Sequence, residues 1–357
     1  MFRIKIDLPL LFGLLILCSA GLVILYSAGG ESQQRIVSQS LRMAVAFFVM
    51  IAFAQVRPDS WRRWSPYIFA VGLIMLALVL LVGYTGKGAQ RWLDLGVFRF
   101  QPSELMKLGV PMMVAWVLTR KPLPPSALTL AFAATVLLLP AALILKQPDL
   151  GTTIMILASG TLVIFLAGFA WRNIAALLMM GAVAAPFLWQ ILREYQRQRI
   201  RTLFDPWSDP LGAGYHSIQS MIAIGSGGAQ GKGWTNGSQS QLEFIPERHT
   251  DFIFSVFSEE FGFIGVIMLF VLYIAIVGRG LYIAYYTKDT YSRLLAGSLS
   301  MTFFFYVFVN VGMVAGILPV VGVPLPLISY GGTSMVTLMA GFGILMGIHN
   351  SRSLMSR

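Results

Sequence analysis

Apolar residues in this chain come in blocks of about 17 to 25, the length that carries a helix across a bilayer core of about 30 Å, with short polar stretches between them. That spacing excludes a water-soluble fold, because no soluble core absorbs so many long apolar segments in succession. Composition agrees: 57% of the residues are hydrophobic and 11% are charged, against roughly 25% charged in an ordinary soluble domain. The blocks predict an all-α polytopic bundle of about ten transmembrane helices, near residues 8–27, 39–56, 66–84, 103–119, 126–145, 150–168, 172–192, 252–277, 294–318 and 331–349. One long polar segment, Arg193 to Asp251, must lie outside the hydrocarbon and reads as a structured loop. Asp7 and Pro9 open the first block with no clean cleavage site after it, so it is read as a retained helix.

The net charge of +11 raises nucleic acid as a ligand, but the placement of the basic residues points to topology instead. With the N-terminus inside, Arg3, Lys5, Arg57, Arg62, Arg63, Arg120, Lys121, Arg172, Arg279, Lys288, Arg293, Arg352 and Arg357 all fall on the cytoplasmic side. The short outer loops then hold Arg35, Lys87, Arg91, Arg99 and Lys146, and both termini are cytoplasmic. Cys18 is the one cysteine, which excludes an intramolecular disulfide and a thiolate metal site. No internal repeat is legible, which argues against the inverted halves of many transporters. Pro111, Pro140 and Pro186 fall inside predicted spans and read as kinks.

This topology gathers the unusual polar chemistry on the outer side. Lys87 to Asp94 and Phe100 to Lys107 form one cluster, with Pro102 and Ser103 marking a helix start and Ser103 a candidate cap. Glu104 and Lys107, three apart, share a helix face about one turn inside the membrane, a depth at which charge must be paired or wetted. Lys146 to Thr152 places Asp149 at the next helix start, where the dipole favours an anion. Gly225 to Gly233 is glycine-rich beside Lys232, but its spacing is not that of a nucleotide-binding P-loop. Arg248-His249-Thr250-Asp251 runs straight into an apolar block. Asp251, Ser255, Ser258 and Glu259 recur on one helical face, a polar stripe that lipid would not tolerate. His249 has no histidine partner one turn away and reads as a hydrogen-bonding residue rather than a metal ligand. Pro319 to Ser334 has too many prolines and glycines for a regular helix, so its backbone must be buried in protein or line a cavity.

With these residues in view, the sequence resembles the SEDS family (shape, elongation, division and sporulation proteins), and within it the RodA type rather than the FtsW type. The matching stretches are Lys87 to Asp94, Phe100 to Lys107, Gln147 to Thr152, Asp209 to Gly233, Gln241 to Glu260 and Asn310 to Thr333. The resemblance implies a single transmembrane domain over 1–357. It implies a peptidoglycan glycosyltransferase of the bacterial inner membrane that polymerises lipid II on the outer face during cell elongation and rod-shape maintenance. It implies a class B penicillin-binding protein as cross-linking partner, alongside other elongation-complex membrane proteins, and a divalent cation, Mg or Mn, held by Asp251 or Glu104. Asp251 takes the position of the essential acid in the R-H-T-D-F motif. Lys87, Arg91, Glu104, Lys107, Asp149, Lys232, Arg248 and Ser329 become candidate substrate-binding residues.

The chemistry suits those residue types. An inverting displacement of a lipid diphosphate needs a base beside the attacking hydroxyl and positive charge beside the leaving group, and no acid, because a diphosphate departs as a stable anion. Asp251 is the candidate base, and Arg91, Lys107, Lys232 and Arg248 are candidate diphosphate contacts. The rival readings are a lipid II flippase, which calls for polar residues reaching both faces, and a non-catalytic scaffold, in which Asp251 only holds a helix end.

Overall fold

The computed structural model describes residues 6–86, 89–94, 96, 99–168, 179, 183, 189–190, 194–210, 212, 214–242, 244–245 and 247–355. Three helices open the chain: α1 (Leu8–Ala28), α2 (Gln33–Gln55) and α3 (Pro58–Val82). Next comes a small antiparallel sheet of β1 (Tyr84–Gly86), β2 (Ala89–Asp94) and β3 (Arg99–Phe100), with Leu93 opposite Phe100 and Asp94 opposite Arg99. Helices α4 (Pro102–Leu118), α5 (Ala127–Lys146) and α6 (Leu150–Leu166) follow. The polar segment folds as α7 (Glu194–Phe204), a 3-10 turn at Pro206–Ser208, α8 (Tyr215–Ser226) and α9 (Ser238–Gln241). It leads into α10 (Ile253–Tyr286), α11 (Thr290–Val314) and α12 (Thr333–Met355).

Six described helices are long and apolar enough to cross a membrane, namely α1, α2, α3, α5, α10 and α11, and the chain is a multi-pass membrane protein. α6 is apolar but has 17 residues, so the described helices do not carry the expected count to ten. Most of the expected span at 172–192, including its Pro186, and the candidate Lys87 lie outside the described residues. The sheet is a departure from the all-α expectation, confined to the outer loop before α4.

Helix starts follow local chemistry. Asp7, Ser126, Asp149 and Asp289 each accept a backbone N–H from the first turn of their helix, and Pro58 and Pro102 open α3 and α4. Ser103 is not the cap of α4: that position belongs to Gln101, because the proline at 102 already stands inside the helix. Pro111 and Pro140 lie within α4 and α5, as expected. α10 outruns its predicted end at 277 because the charge there is neutralised. Arg279 donates to both Asp7 oxygens, at 3.1 and 2.7 Å. Burial pushes the Asp7 carboxyl up, but the bond from Arg279 and the other favourable contacts outweigh it and hold the group below its ordinary value.

α10 is broken near its N-terminal end at Gly262, whose φ of 63° and ψ of −167° leave the helix. The glycine-rich loop repairs the break. Lys232 and Gly233 donate backbone N–H groups to the Glu259 and Glu260 carbonyls, and Phe263 and Ile264 donate to Gly228 and Ala229. A Cβ on Gly262 would stand 2.2 Å from the Gly231 nitrogen, so only glycine fits. The motif that resembled a phosphate cradle is therefore a backbone splint. Trp234 then anchors the loop to α1 by donating to the Val23 carbonyl at 3.1 Å.

Candidate active site

The apolar but irregular stretch from Gly316 to Gly332 packs against the Arg248–Asp251 turn. Tyr330 donates its N–H to the His249 carbonyl at 2.9 Å. The Ser329 hydroxyl donates to the Thr250 carbonyl at 2.6 Å and accepts the Leu325 N–H at 2.8 Å. Asn310, fully buried on α11, donates to the Asp251 carbonyl at 2.8 Å and to the Val323 carbonyl at 2.7 Å. Three successive carbonyls, those of residues 249 to 251, are thus held by separate partners. The Asp251 side chain is half-buried. Its Oδ2 lies against Gly322, 3.3 Å from where a Cβ there would stand. Gln39 of α2 braces the loop from the other side, donating to the Ser329 carbonyl at 3.3 Å and accepting the Gly331 N–H at 3.4 Å.

Two further candidate groups adjoin this loop. The first turn of α6 packs so closely on it that a Cβ on Gly151 would stand 2.6 Å from the Val321 carbonyl oxygen. Asp149, at the start of that helix, lies 3.6 Å from the Arg91 guanidinium and accepts from Gln101 at 3.3 Å. Arg91 also donates to the Pro148 carbonyl at 2.6 Å. On α4, Lys107 donates to Glu104 Oε1 at 2.7 Å, with both side chains nearly buried. Lys107 also stands 5.4 Å from the centre of the Tyr306 ring. Glu104, Lys107 and Asp149 all act electrostatically on the Tyr306 hydroxyl, and Tyr306 lies one turn before Asn310 on α11. The α4 pair, the α6 cap and Asp251 are therefore joined through one face of α11 and one loop.

Arg248 and Arg35 converge on the turn between α1 and α2. A Cβ on Gly30 would stand 3.4 Å from Arg248 Nη2, and Arg35 donates to the Gly29 carbonyl at 2.8 Å. Arg42 lies over the Tyr330 ring at 4.5 Å. Lys232 belongs to a different group. Its ammonium donates to Glu259 Oε1 and to the Ser238 hydroxyl, both at 2.7 Å. The polar stripe from Ser255 to Glu259 is buried against protein, as its cost in lipid requires.

A cavity of about 640 Å³ is walled by Arg199, Trp207, His216, Ser217 and Pro319, among others. His216 stacks on Phe252 at 5.8 Å. Burial, partly offset by the charge of Glu247, holds its imidazole below the usual value and so neutral at pH 7.

Tyr306, Asn310, Gln39 and Arg42 were not among the residues nominated from the sequence. A buried asparagine deep in an apolar block was the one signal available for Asn310.

No group of three or more His, Cys, Asp or Glu side chains among the described residues could hold a metal ion. A hard cation such as Mg needs fewer protein ligands, since one or two carboxylates and substrate phosphates complete its shell. Asp251 is the candidate for that role, and Glu104 Oε2 is buried without a hydrogen-bond partner among the described residues. Oε1 of Glu104 is already committed to Lys107.

Comparison with known proteins follows this geometry. The chain is 49% identical to the peptidoglycan glycosyltransferase MrdB of Escherichia coli (strain K12), over 99% of this chain and 96% of that protein. It is 33% identical to the peptidoglycan glycosyltransferase RodA of Treponema pallidum, over 98% of each. Among solved structures it is similar to a chain of a peptidoglycan synthase complex described as coordinating polymerization and crosslinking, with a TM-score of 0.85 and 32% identity over 97% of this chain and 98% of that one. It is also similar to the rod shape determining protein RodA of Thermus thermophilus, with a TM-score of 0.72 and 29% identity over 97% of each. A family model named FTSW_RODA_SPOVE and described as cell cycle protein matches residues 1–354, and the chain belongs to that family.

Proposed function

We propose that this protein is a peptidoglycan glycosyltransferase that joins lipid-linked disaccharide units, lipid II, into glycan strands at the outer face of a bacterial inner membrane, in support of rod-shaped growth. The observation that carries the mechanism is the treatment of Asp251: three consecutive carbonyls, those of residues 249 to 251, are fixed by Tyr330, Ser329 and Asn310, and its side chain is half-buried. Backbone fixation of this kind sets the position of the carboxylate, which is the requirement for a general base.

Asp251 takes the proton from the acceptor hydroxyl as that oxygen attacks the anomeric carbon, and the diphosphate leaves from the opposite face with inversion. Arg248 is next to Asp251 in the chain and supplies positive charge to the departing group, with Arg91 and Lys107 reached through the 316–332 loop and α11. Lys107 is paired with Glu104 at 2.7 Å, so its ammonium serves the site as half of an ion pair. When bound, a divalent cation on Asp251, with Glu104 Oε2 as a further candidate ligand, would neutralise the diphosphate charge. Lys232 supports α10 through Glu259, and its reading as a diphosphate contact rests on the 31% of its side chain that stays exposed. The partner in this reading is a class B penicillin-binding protein, supported by the likeness to a polymerising and crosslinking complex.

The test is polymerisation of lipid II by the purified protein with its transpeptidase partner and a divalent cation. The parent makes glycan strands and Asp251→Asn does not. Polymer from the variant at the parent rate would leave Asp251 a structural residue. Movement of lipid II across sealed vesicles without any polymer would make the protein a flippase.

A further inference from the structure

The opposite end of α4 from Glu104 holds chemistry that glycosyl transfer does not use. α4 ends at Leu118 and is followed by Arg120 and Lys121; α5 begins after Ser126, and Pro122, Pro124 and Pro125 stiffen the chain between. A cavity of about 450 Å³ opens between the two helix ends. Its apolar wall includes Val117, Leu128 and Phe132, and its polar rim is Arg120, Lys121 and Thr129. Among the described residues neither cation pairs with a carboxylate. Arg120 instead lies flat over the Trp116 ring at 4.3 Å, an aromatic of the type that settles at the headgroup level of a bilayer. Leu128 and Phe132 are 76% and 55% exposed, so the apolar wall continues from the cations onto the lipid-facing side of α5.

Two neighbouring unneutralised cations repel each other unless an anion lies between them. The apolar wall adds a second requirement, that the anion carry hydrocarbon. Inorganic phosphate meets the first requirement alone. A zwitterionic lipid brings its own cation to a site that already has two. An anionic phospholipid meets both, and basic pockets between transmembrane helices recur as sites for such headgroups. We propose that the groove between α4 and α5 binds an anionic phospholipid, with its phosphate on Arg120 and Lys121 and one acyl chain along Leu128 and Phe132.

Native mass spectrometry of the full-length protein, stripped of lipid in neutral detergent, tests this. Phosphatidylglycerol is offered against phosphatidylcholine of the same chains, with soluble glycerol phosphate as a third arm. The expected result is a preference of about tenfold for phosphatidylglycerol over phosphatidylcholine, given two cations at the headgroup. Arg120→Gln/Lys121→Gln abolishes the preference, Lys121→Arg keeps it, and Phe132→Ser weakens lipid retention of both kinds. These side chains are exposed, and an unchanged melting temperature checks that the variants fold. Equal binding of the two lipids overturns the proposal, as does a preference that survives the double substitution. Displacement of the lipid by glycerol phosphate at equal concentration would show a simple anion site and overturn it too.

Discussion

Asp251 and Glu259 stand eight residues apart at the start of α10, and their surroundings differ in kind. Around Asp251, Asn310, Ser329 and Tyr330 hold the main chain, and the side chain is half-buried. Around Glu259 the bonds go to the side chain. Its Oε1 receives Lys232, the Ser238 hydroxyl and the Gln239 N–H, and the residue is fully buried. Next to it, Glu260 accepts from the Ser27 hydroxyl of α1. A carboxylate with one oxygen committed to several internal donors holds a structure together. One whose main chain is clamped is held in position as a candidate for chemistry.

The strongest way to break that contrast is to neutralise each acid. Asp251→Asn is expected to slow glycan synthesis by about 10²- to 10⁴-fold, the contribution of a positioned base, with no change in the unfolding midpoint. Glu259→Ala should do the reverse, costing about 3–5 kcal/mol of stability because it strands a partly buried ammonium, as read by denaturant titration in detergent. Lys232→Met/Glu259→Met should recover most of that loss. A stable but inactive Glu259→Ala would place Glu259 in the working site and dissolve the distinction.

Smaller effects sharpen the same comparison. Gly262→Ala puts a Cβ against the Gly231 backbone at φ 63°. It should cost about 1–3 kcal/mol through the splint, seen as earlier unfolding with the polymerisation rate of the folded fraction retained. Asn310→Ala leaves the Asp251 and Val323 carbonyls without their donor and should cost about 1–3 kcal/mol, with polymerisation falling more than stability does. Ser329→Ala, with two more of the loop's bonds lost, is expected to be the mildest, at about 1 kcal/mol, measured by the same pair of assays.

Much of the candidate site was legible in the residues. Charge at membrane depth marked Glu104 and Lys107, helix-start chemistry marked Asp149, and the polar stripe after Asp251 had to be covered by protein. The purpose of the glycine-rich loop was invisible in the sequence, because its partner is a break in α10 some thirty residues later in the chain. Ser103 was mistaken for a cap because a hydroxyl beside a proline fits either register, and the backbone of Gln101 decides between them. The end of α10 was drawn too early, since hydropathy counts Arg279 as a charge and cannot know that Asp7 neutralises it.

What the sequence determined by itself is therefore the solvent and the chemistry. Apolar block length fixes a membrane as the medium, and the rarity of charge inside those blocks singles out the acids and cations that must have a purpose. The tertiary structure decided which of those charges meet. Two carboxylates eight residues apart look alike in a string of letters, and they separate into an internal clamp and a half-buried candidate base only when distant segments, the 316–332 loop on one side and the glycine-rich loop on the other, are folded against them. Pairing energies depend on distance and burial, and neither is a property of the sequence position.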